Sequence, residues 1–133
     1  MDEDIKYIID SSFMLAYLLP DEKVSQVDKV FTQYARGKVF FFAPYILPFE
    51  VINGLRSAAI SKRIDKDTAQ ILIDDFLSVK IEFQMVNFKR TLAISLQNNC
   101  SIYDASYIAL SQGNNLPFLT LDDKLKKLTS SSN

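Results

Sequence analysis

Ile5-Lys6-Tyr7-Ile8-Ile9-Asp10 is the stretch of sequence that decides the fold. The run before Asp10 is short, mostly apolar and without polar alternation, which predicts a strand buried on both faces, as in a parallel sheet. Residues 11–19 follow with apolar side chains at helical spacing, and Pro20 ends that helix. A carboxylate therefore stands where a buried strand ends and a helix begins.

The rest of the chain alternates predicted helices and strands. Strands are predicted at 38–42, 79–86 and 117–121. Helices are predicted over 22–34, from Pro44 or Pro48 to about 62, and over 65–76, 87–96, 101–113 and 122–128. Asp65, Asn87 and Ser101 are residues of the kind that begin helices, and Asn87 is predicted to cap the helix that follows it. Strands that alternate with helices predict an α/β fold. We expect a three-layer α/β/α sandwich around a central parallel sheet of four or five strands.

The length of 133 residues predicts one domain, residues 1–133, with 129–133 as a frayed polar tail. No apolar run approaches the ~20 residues that span a bilayer. The amino terminus is acidic, whereas a signal peptide begins with a positive region. We therefore expect a cytoplasmic protein without a membrane partner.

Composition excludes several kinds of chemistry. The chain has no histidine, so a Ser-His-Asp triad, a Cys-His pair or a histidine-rich zinc site cannot form. Its one cysteine, Cys100, excludes an intramolecular disulfide and is expected to be a buried structural thiol. None of the three glycines belongs to a phosphate-binding glycine loop. Acid–base chemistry must come from carboxylates, lysine, tyrosine or metal-bound water.

The net charge of −1 and the pI near 5.4 give no sign of a basic nucleic-acid-binding face. The lysines and arginines near residues 56–63 and 124–127 are expected on solvated helical faces. The phenylalanines Phe40, Phe41, Phe42 and Phe49 are expected mainly in the core. Neither group of residues by itself indicates a function.

Four acidic residues lie in positions that favour a shared site. Asp10 and Asp122 follow the first and fourth predicted strands, and they meet at one edge of the sheet if those strands are neighbours. Glu50 and Asp104 lie on helices, and their neighbours three and four residues away are partly apolar. A carboxylate that faces the core needs a partner, and a divalent cation is one such partner.

The segments around these acids resemble the four motifs of PIN-domain proteins, and most closely those of VapC toxins. They occur in the order of that family, over about residues 5–128. The segments are Asp10-Ser11-Ser12, Leu47-Pro48-Phe49-Glu50-Val51-Ile52-Asn53-Gly54-Leu55, Tyr103-Asp104-Ala105 and Leu119-Thr120-Leu121-Asp122-Asp123-Lys124-Leu125. Any one of these motifs is weak, but four at matching elements are specific.

The resemblance implies a catalytic acidic cluster that binds Mg²⁺ or Mn²⁺, formed by Asp10, Glu50, Asp104 and Asp122. It implies that Ser12 and Thr120 support the cluster. Asp123 is an extra carboxylate, and the T-x-D spacing favours Asp122 over it. Of the four acids, we expect Asp10 and Asp104 to ligate the metal directly.

The resemblance also implies partners. They are an RNA substrate that is cleaved, a second copy of the chain in a homodimer, and a cognate VapB-like antitoxin whose complex with the toxin binds operator DNA. A basic antitoxin segment could place an arginine near the four acids in place of the cation.

Each acid also has a simpler interpretation, which is a helix cap in most cases and, for Glu50, a side chain that reaches solvent from a helix edge. Asp10 could cap the helix that begins at Ser11. Ser101 with Asp104, and Thr120 with Asp123, have the spacing of a capping box. Four independent caps would not be expected to match the positions of one family, so we favour the shared site.

Two other functions remain as alternatives. The first is a non-catalytic module that keeps the PIN-like fold to bind RNA or protein. The second is a phosphoacceptor domain of the receiver type, which requires an acid pair after the first strand and an aspartate after a middle strand. The first strand offers only Asp10, and the predicted middle strand 79–86 ends in Val86-Asn87. We rank both below the nuclease.

Overall fold

Four strands and seven helices make up residues 4–130, the part of the chain that the computed structural model describes. In chain order they are β1 (Ile5–Ile9), α1 (Ser11–Leu18), α2 (Ser25–Ala35), β2 (Val39–Pro44), α3 (Leu47–Ile60), α4 (Lys66–Ser78), β3 (Ile81–Gln84), α5 (Phe88–Asn98), α6 (Ile102–Asn114), β4 (Phe118–Leu119) and α7 (Asp123–Ser130).

The sheet is parallel throughout and has the strand order β3-β2-β1-β4. Strand β1 is central, with Ile8 in register with Phe42 of β2 on one side and Phe118 of β4 on the other. The chain runs outward from β1 through β2 and β3, and returns to place β4 beside β1. The predicted α/β fold with a four-stranded sheet is confirmed, and β1 and β4 are neighbours.

Helices cover both faces of the sheet. Helices α1 to α4 pack on one another to form one layer, and α5 and α6 pack together to form the other, with α6 lying on β1, β2 and β4. Residues of β1 and α1, including Ile8, Ile9 and Phe13, are completely buried in the main core. A smaller core of Ile94, Ala105, Ile108, Ala109 and Leu125 holds α7 against α5 and α6, and Cys100 packs against it.

Several predicted helix caps are present. Asn87 accepts a hydrogen bond from the Arg90 N–H at 3.0 Å and begins α5. Asp65 accepts one from the Thr68 N–H at 2.7 Å and begins α4. These side chains satisfy backbone N–H groups that a helix leaves without partners. Cap chemistry in the sequence therefore located these helix starts correctly.

The outer strands are shorter than predicted. Strand β3 covers Ile81–Gln84 rather than 79–86, and β4 covers Phe118–Leu119 rather than 117–121. The apolar pattern continues past each strand, but only these residues pair with a neighbouring strand. Helix α7 extends to Ser130, so the predicted tail overlaps its last residues, and residues 131–133 lie outside the described part of the chain.

Two phenylalanines expected in the core are exposed instead. Phe41 is buried in β2, but Phe40 beside it is 43% exposed and Phe49 on α3 is 73% exposed. Phe40 alternates along β2 with the buried residues Val39 and Phe41. On α3 the stripe that includes Leu47 and Val51 faces the core, and the apolar surface of the helix extends past this stripe to Phe49. The prediction was therefore wrong for Phe40 and Phe49. Between residues 4 and 130, no helix is both long and apolar enough to cross a membrane.

Candidate functional site

Asp10 lies at the carboxyl end of β1 and is the N-cap residue of α1. Its extended backbone, with φ −103° and ψ 178°, turns the chain from strand to helix, and its Oδ1 accepts a hydrogen bond from the Phe13 N–H at 3.0 Å. Only 4% of Asp10 is exposed. The capping interpretation of Asp10 is therefore correct, and the cap holds the carboxylate at the edge of the sheet.

Ser12 and Thr120 join the β1–α1 turn to the segment after β4. Ser12 Oγ donates to Asp10 Oδ1 at 2.7 Å, and Thr120 Oγ1 donates a short hydrogen bond to Asp10 Oδ2. The Leu121 N–H donates to Ser12 Oγ at 2.9 Å, and the Asp122 N–H donates to Thr120 Oγ1 at 3.1 Å. This network fixes the backbone of Asp122 beside the Asp10 carboxylate.

Asp122 and its neighbour Asp123 have different surroundings. Asp122 Oδ1 accepts from the Leu125 N–H at 3.1 Å and so caps α7, and its charge raises the pKa values of Asp10 and Asp104. Asp123 is exposed and is not among the groups that shift the pKa of Asp10, Glu50 or Asp104. The capping box expected for Thr120 and Asp123 is absent, because Thr120 bonds to Asp10 and Asp122 instead.

Glu50 lies in the first turn of α3, and Tyr107 of α6 donates its hydroxyl hydrogen to Glu50 Oε1 at 2.6 Å. Burial raises the pKa of the Glu50 carboxyl, and the charges of Asp104 and Asp10 raise it further. The hydrogen bond from Tyr107 acts in the opposite direction because it stabilises the charged form. Glu50 is therefore within electrostatic range of the other acids.

Asp104 lies in the first turn of α6. Its backbone N–H donates to Ser101 Oγ at 3.0 Å, so Ser101 caps this helix. Burial raises the pKa of Asp104 and Asp122 raises it further, while the charge of Lys124 and a hydrogen bond with the Ser101 side chain oppose the rise. Lys124 itself donates to the Asn99 carbonyl at 3.0 Å.

The four acids form a cluster in which each carboxylate raises the pKa of at least one other or has its own pKa raised by one, and we call this cluster the acidic site: Asp10, Glu50, Asp104 and Asp122. The groups that shift the pKa values of Asp10 and Glu50 are hydroxyls, a backbone N–H and other carboxylates. No lysine or arginine of the described part of the chain is among these groups. Asp10 is buried, Glu50 and Asp104 are half-buried and Asp122 is exposed, and like charges held together at such a site repel unless a cation neutralises them. The structure thus brings together the residues that the sequence predicted for the site.

The donor set of the acidic site suits a hard cation. Its ligands would be carboxylate oxygens, which Mg²⁺ and Mn²⁺ prefer over softer nitrogen or sulfur ligands. Within residues 4–130, no three carboxyl or thiol groups are arranged to hold a metal ion by themselves. Mg²⁺ typically keeps several waters and binds through one or two direct carboxylates, so the residues fit a site of that kind.

Tyr107 is the member of this region that the sequence prediction did not include. It is 1% exposed, and burial, the hydrogen bond to Glu50 and the charges of Glu50, Asp10 and Asp104 all raise the pKa of its hydroxyl. Its position three residues after Asp104, on the same side of a helix, was the available signal. A tyrosine at such a position is usually assigned to the core, and the ring of Tyr107 does lie there.

In the strand order β3-β2-β1-β4, the direction in which the chain adds strands changes between β1 and β4, and the acidic site lies at the carboxyl ends of these two strands. The protein is thus an α/β protein with a carboxylate site at the position where such sheets commonly bind ligands. The chain belongs to the PIN domain family, whose profile matches residues 7–130. The expected resemblance is thereby confirmed at the level of the family.

Curated relatives carry the name VapC. The chain is 26% identical over 125 residues to Ribonuclease VapC3 of Pyrobaculum aerophilum, covering 91% of this chain and 92% of the relative. It is 33% identical over 85 residues to Ribonuclease VapC1 of Mycobacterium tuberculosis, covering 62% and 63% of the two chains. The predicted similarity to VapC proteins is confirmed.

Solved structures share the fold. The crystal structure of PAE2754 from Pyrobaculum aerophilum superposes with a TM-score of 0.71 at 23% identity, covering 95% of this chain and 87% of that one. VapC20 of Mycobacterium tuberculosis, described as a sarcin-ricin loop cleaving toxin, superposes with a TM-score of 0.61 at 13% identity, covering 91% and 93%. At these identities the likeness establishes the fold alone.

Proposed function

We propose that this protein is a Mg²⁺- or Mn²⁺-dependent endoribonuclease of the VapC type, the toxin of a toxin–antitoxin pair that acts in the cytoplasm. Membership of the PIN domain family and the naming of its curated relatives as VapC ribonucleases support the proposal. The observation that carries it is the acidic site, in which burial and mutual repulsion raise the pKa values of Asp10, Glu50 and Asp104.

Asp10 and Asp104 are the residues that we propose to hold the cation directly. Asp10 Oδ1 already accepts two hydrogen bonds and Oδ2 accepts one, so Oδ2 has room for one further partner. Asp122 and Glu50 would complete the site through water, as carboxylates around Mg²⁺ commonly do. Ser12 and Thr120 orient Asp10 for this role.

The proposed reaction is hydrolysis of an RNA phosphodiester, in which a water oxygen bonds to phosphorus and the bond to one ribose oxygen breaks. A bound cation supplies Lewis acidity, which makes the attacking water more acidic and offsets charge on the phosphoryl oxygens. We assign to Glu50, whose pKa is raised, the orientation of the water and the acceptance of its proton. Asp122, whose side chain is exposed, would contact the hydration shell of the cation.

The test of catalysis is RNA cleavage by purified protein with Mg²⁺, with Mn²⁺ and with EDTA. Asp10→Asn and Asp104→Asn should each slow cleavage at least 100-fold at saturating Mg²⁺, which corresponds to about 2.7 kcal/mol of transition-state stabilisation. Asp74→Asn, which changes an exposed aspartate of α4, is the matched control. A folded Asp10→Asn protein that cleaves as fast as wild type would refute the mechanism, and absence of both cleavage and metal binding would favour the non-catalytic module.

A VapB-like antitoxin is the proposed protein partner, and we propose that its complex with the toxin binds operator DNA. A cluster of carboxylates of which only Asp104 has a lysine, Lys124, among the groups that shift its pKa would attract an arginine, which pairs with carboxylate in a bidentate geometry. The product of a short neighbouring gene should co-purify with this chain and stop RNA cleavage. The antitoxin proposal fails if no protein encoded beside it binds the chain or inhibits cleavage.

A homodimer is the proposed assembly, and an apolar groove of about 260 Å³ between β2, β3, α5 and α6 supports it. Tyr45, Met85, Phe88 and Tyr103 line the groove, and each is more than half exposed. Covering the three aromatic side chains would bury roughly 400 Å², about half of the ~800 Å² that one partner contributes to a standard interface.

Phe88→Glu tests this assembly by placing a charge in the groove. Light scattering after gel filtration should report a dimer for wild type and a monomer for Phe88→Glu. Leu77→Glu, at an equally exposed apolar position on α4 outside the groove, should remain a dimer. A wild-type monomer at high micromolar concentration would refute the dimer.

A further inference from the structure

We infer that Tyr107 is a positioning residue of the acidic site: its hydroxyl holds the Glu50 carboxylate in one orientation and so sets how that carboxylate meets a bound cation and its waters. The inference rests on the proposed function, because it concerns the same site. It adds to the acidic site a hydrogen-bond donor for Glu50, as Ser12 and Thr120 are donors for Asp10.

The position of the Tyr107 hydroxyl is set by packing of the core. Tyr107 is 1% exposed, and its ring stacks on Phe118 of β4 at a centroid distance of 5.8 Å and an interplanar angle of 14°. The ring is therefore held between α6 and the sheet. From there the hydroxyl donates to Glu50 Oε1 at 2.6 Å, within the range of a strong hydrogen bond to a charged acceptor.

Glu50 depends on this contact for its orientation. Glutamate is a long side chain with several rotatable bonds, and ordering it costs conformational entropy. Among residues 4–130, Tyr107 is the one residue seen to donate a hydrogen bond to the Glu50 carboxylate. The bond uses Oε1, and no residue of the described part of the chain is seen to donate a hydrogen bond to Oε2.

Tyr107 can act only as a donor in this place. Burial and the charges of Glu50, Asp10 and Asp104 raise the pKa of its hydroxyl far above neutral pH, so the hydroxyl keeps its hydrogen. It therefore has no role as a base. Its influence on the site passes through the orientation of Glu50, which makes it a positioning residue rather than a catalytic one.

The first experiment measures the affinity for Mn²⁺ by electron paramagnetic resonance, in the absence of RNA. Tyr107→Phe keeps the ring and removes the hydroxyl, and we expect Mn²⁺ to bind about 10-fold more weakly, as is typical when a supporting partner of a ligand is lost. Tyr34→Phe is the matched control: it removes a hydroxyl that accepts from the Lys80 N–H at 2.9 Å before β3, at the opposite end of the sheet. That control should change the affinity less than 2-fold.

The Glu50→Gln background separates positioning from a general structural effect. Once the Glu50 charge is gone, the orientation that Tyr107 imposes no longer matters to a cation, so adding Tyr107→Phe should change Mn²⁺ affinity less than 2-fold. An equal penalty in both backgrounds, or no penalty in either, would overturn the inference. Because RNA is absent, a wild-type protein that binds Mn²⁺ but cleaves no RNA would refute the proposed function and leave this comparison intact.

A second measurement does not require Tyr107→Phe to fold. The chain has no tryptophan, so its near-ultraviolet spectrum above 275 nm reports its six tyrosines. Glu50→Ala removes the acceptor of the Tyr107 hydroxyl and should shift part of that absorption to shorter wavelength. Asp123→Ala, which removes an exposed carboxylate, should not. Identical difference spectra for the two variants would contradict the contact on which the inference depends.

Discussion

Asp10→Asn removes one negative charge from the acidic site with little change in shape. The introduced amide side chain can still cap α1, since asparagine is as good a cap as aspartate, and its oxygen can still accept from the Phe13 N–H and from Ser12. The new amide nitrogen would face Thr120 Oγ1, which has a second lone pair and can accept. The variant should therefore fold, and the property that it loses should be binding of the cation.

The size of that loss follows from binding linkage. Mg²⁺ at 100 times its dissociation constant stabilises the folded protein by about 2.7 kcal/mol. If Asp10→Asn weakens binding 100-fold, the same Mg²⁺ concentration contributes about 0.4 kcal/mol. For a domain of this size, 1 kcal/mol moves the melting temperature by roughly 4 °C, so wild type should gain about 10 °C on adding Mg²⁺ and the variant less than ~2 °C.

Thermal unfolding followed by circular dichroism measures both gains. Samples with MgCl₂ and with EDTA are matched in ionic strength, and Asp74→Asn should keep the full gain of wild type. An Asp10→Asn protein that gains as much from Mg²⁺ as wild type would refute the assignment of Asp10 as a ligand. A wild-type protein that gains nothing would refute the cation site as a whole.

Three further predictions concern the same site. Without divalent cations, Asp10, Glu50 and Asp104 have raised pKa values in the folded chain, so they bind protons there at pH values where the unfolded chain has released them. The free energy of unfolding should therefore rise as the pH falls from 7 toward about 4.5, which chemical denaturation at several pH values tests. Saturating Mg²⁺ should weaken this rise, because protons and the cation compete for the same carboxylates. Thr120→Val leaves the Asp10 carboxylate and the Asp122 N–H each without one hydrogen-bond partner, and it should lower the free energy of unfolding in urea by about 1.5–3 kcal/mol. Thr91→Val is the control: Thr91 is equally buried but donates only to a backbone carbonyl, so this change should lower the free energy of unfolding by about 1 kcal/mol. Equal losses of stability would contradict a special role for Thr120. Asp122→Asn should slow RNA cleavage at least 10-fold and Asp123→Asn less than 2-fold, and the reverse order would overturn the assignment of Asp122.

The order of elements could be predicted because it depends on local patterns. The apolar run before Asp10 predicted β1, and cap residues such as Asn87 and Ser101 predicted where helices begin. Strand ends could not be located in this way, since pairing rather than composition decides where a strand stops. The exposure of Phe40 and Phe49 could not be predicted from composition either. Phe40 alternates along β2 with the buried residues Val39 and Phe41, and the apolar surface of α3 extends beyond the stripe that the core covers.

The four acids were identified in the sequence, but their relations were not. Spacing and resemblance selected Asp10, Glu50, Asp104 and Asp122, while the choice between Asp122 and Asp123 depended on a spacing alone. Both side chains are exposed, but the hydrogen bonds of Thr120 tie the backbone of Asp122 to Asp10, and the charge of Asp122 rather than that of Asp123 raises the pKa values of Asp10 and Asp104. Two acids are caps as well, so the capping and shared-site interpretations are compatible for Asp10 and Asp122.

The sequence by itself determined the alternation of strands and helices, the exclusion of histidine and glycine-loop chemistry, and the identity of the acids, since each depends on residue type and local spacing. Only the tertiary structure decided that β4 lies beside β1, that Thr120 joins the two strand ends, and that Tyr107 meets Glu50 across 57 residues of chain. Those contacts arise from how helices and strands pack against one another, and packing brings together residues whose separation along the chain carries no signal of their proximity.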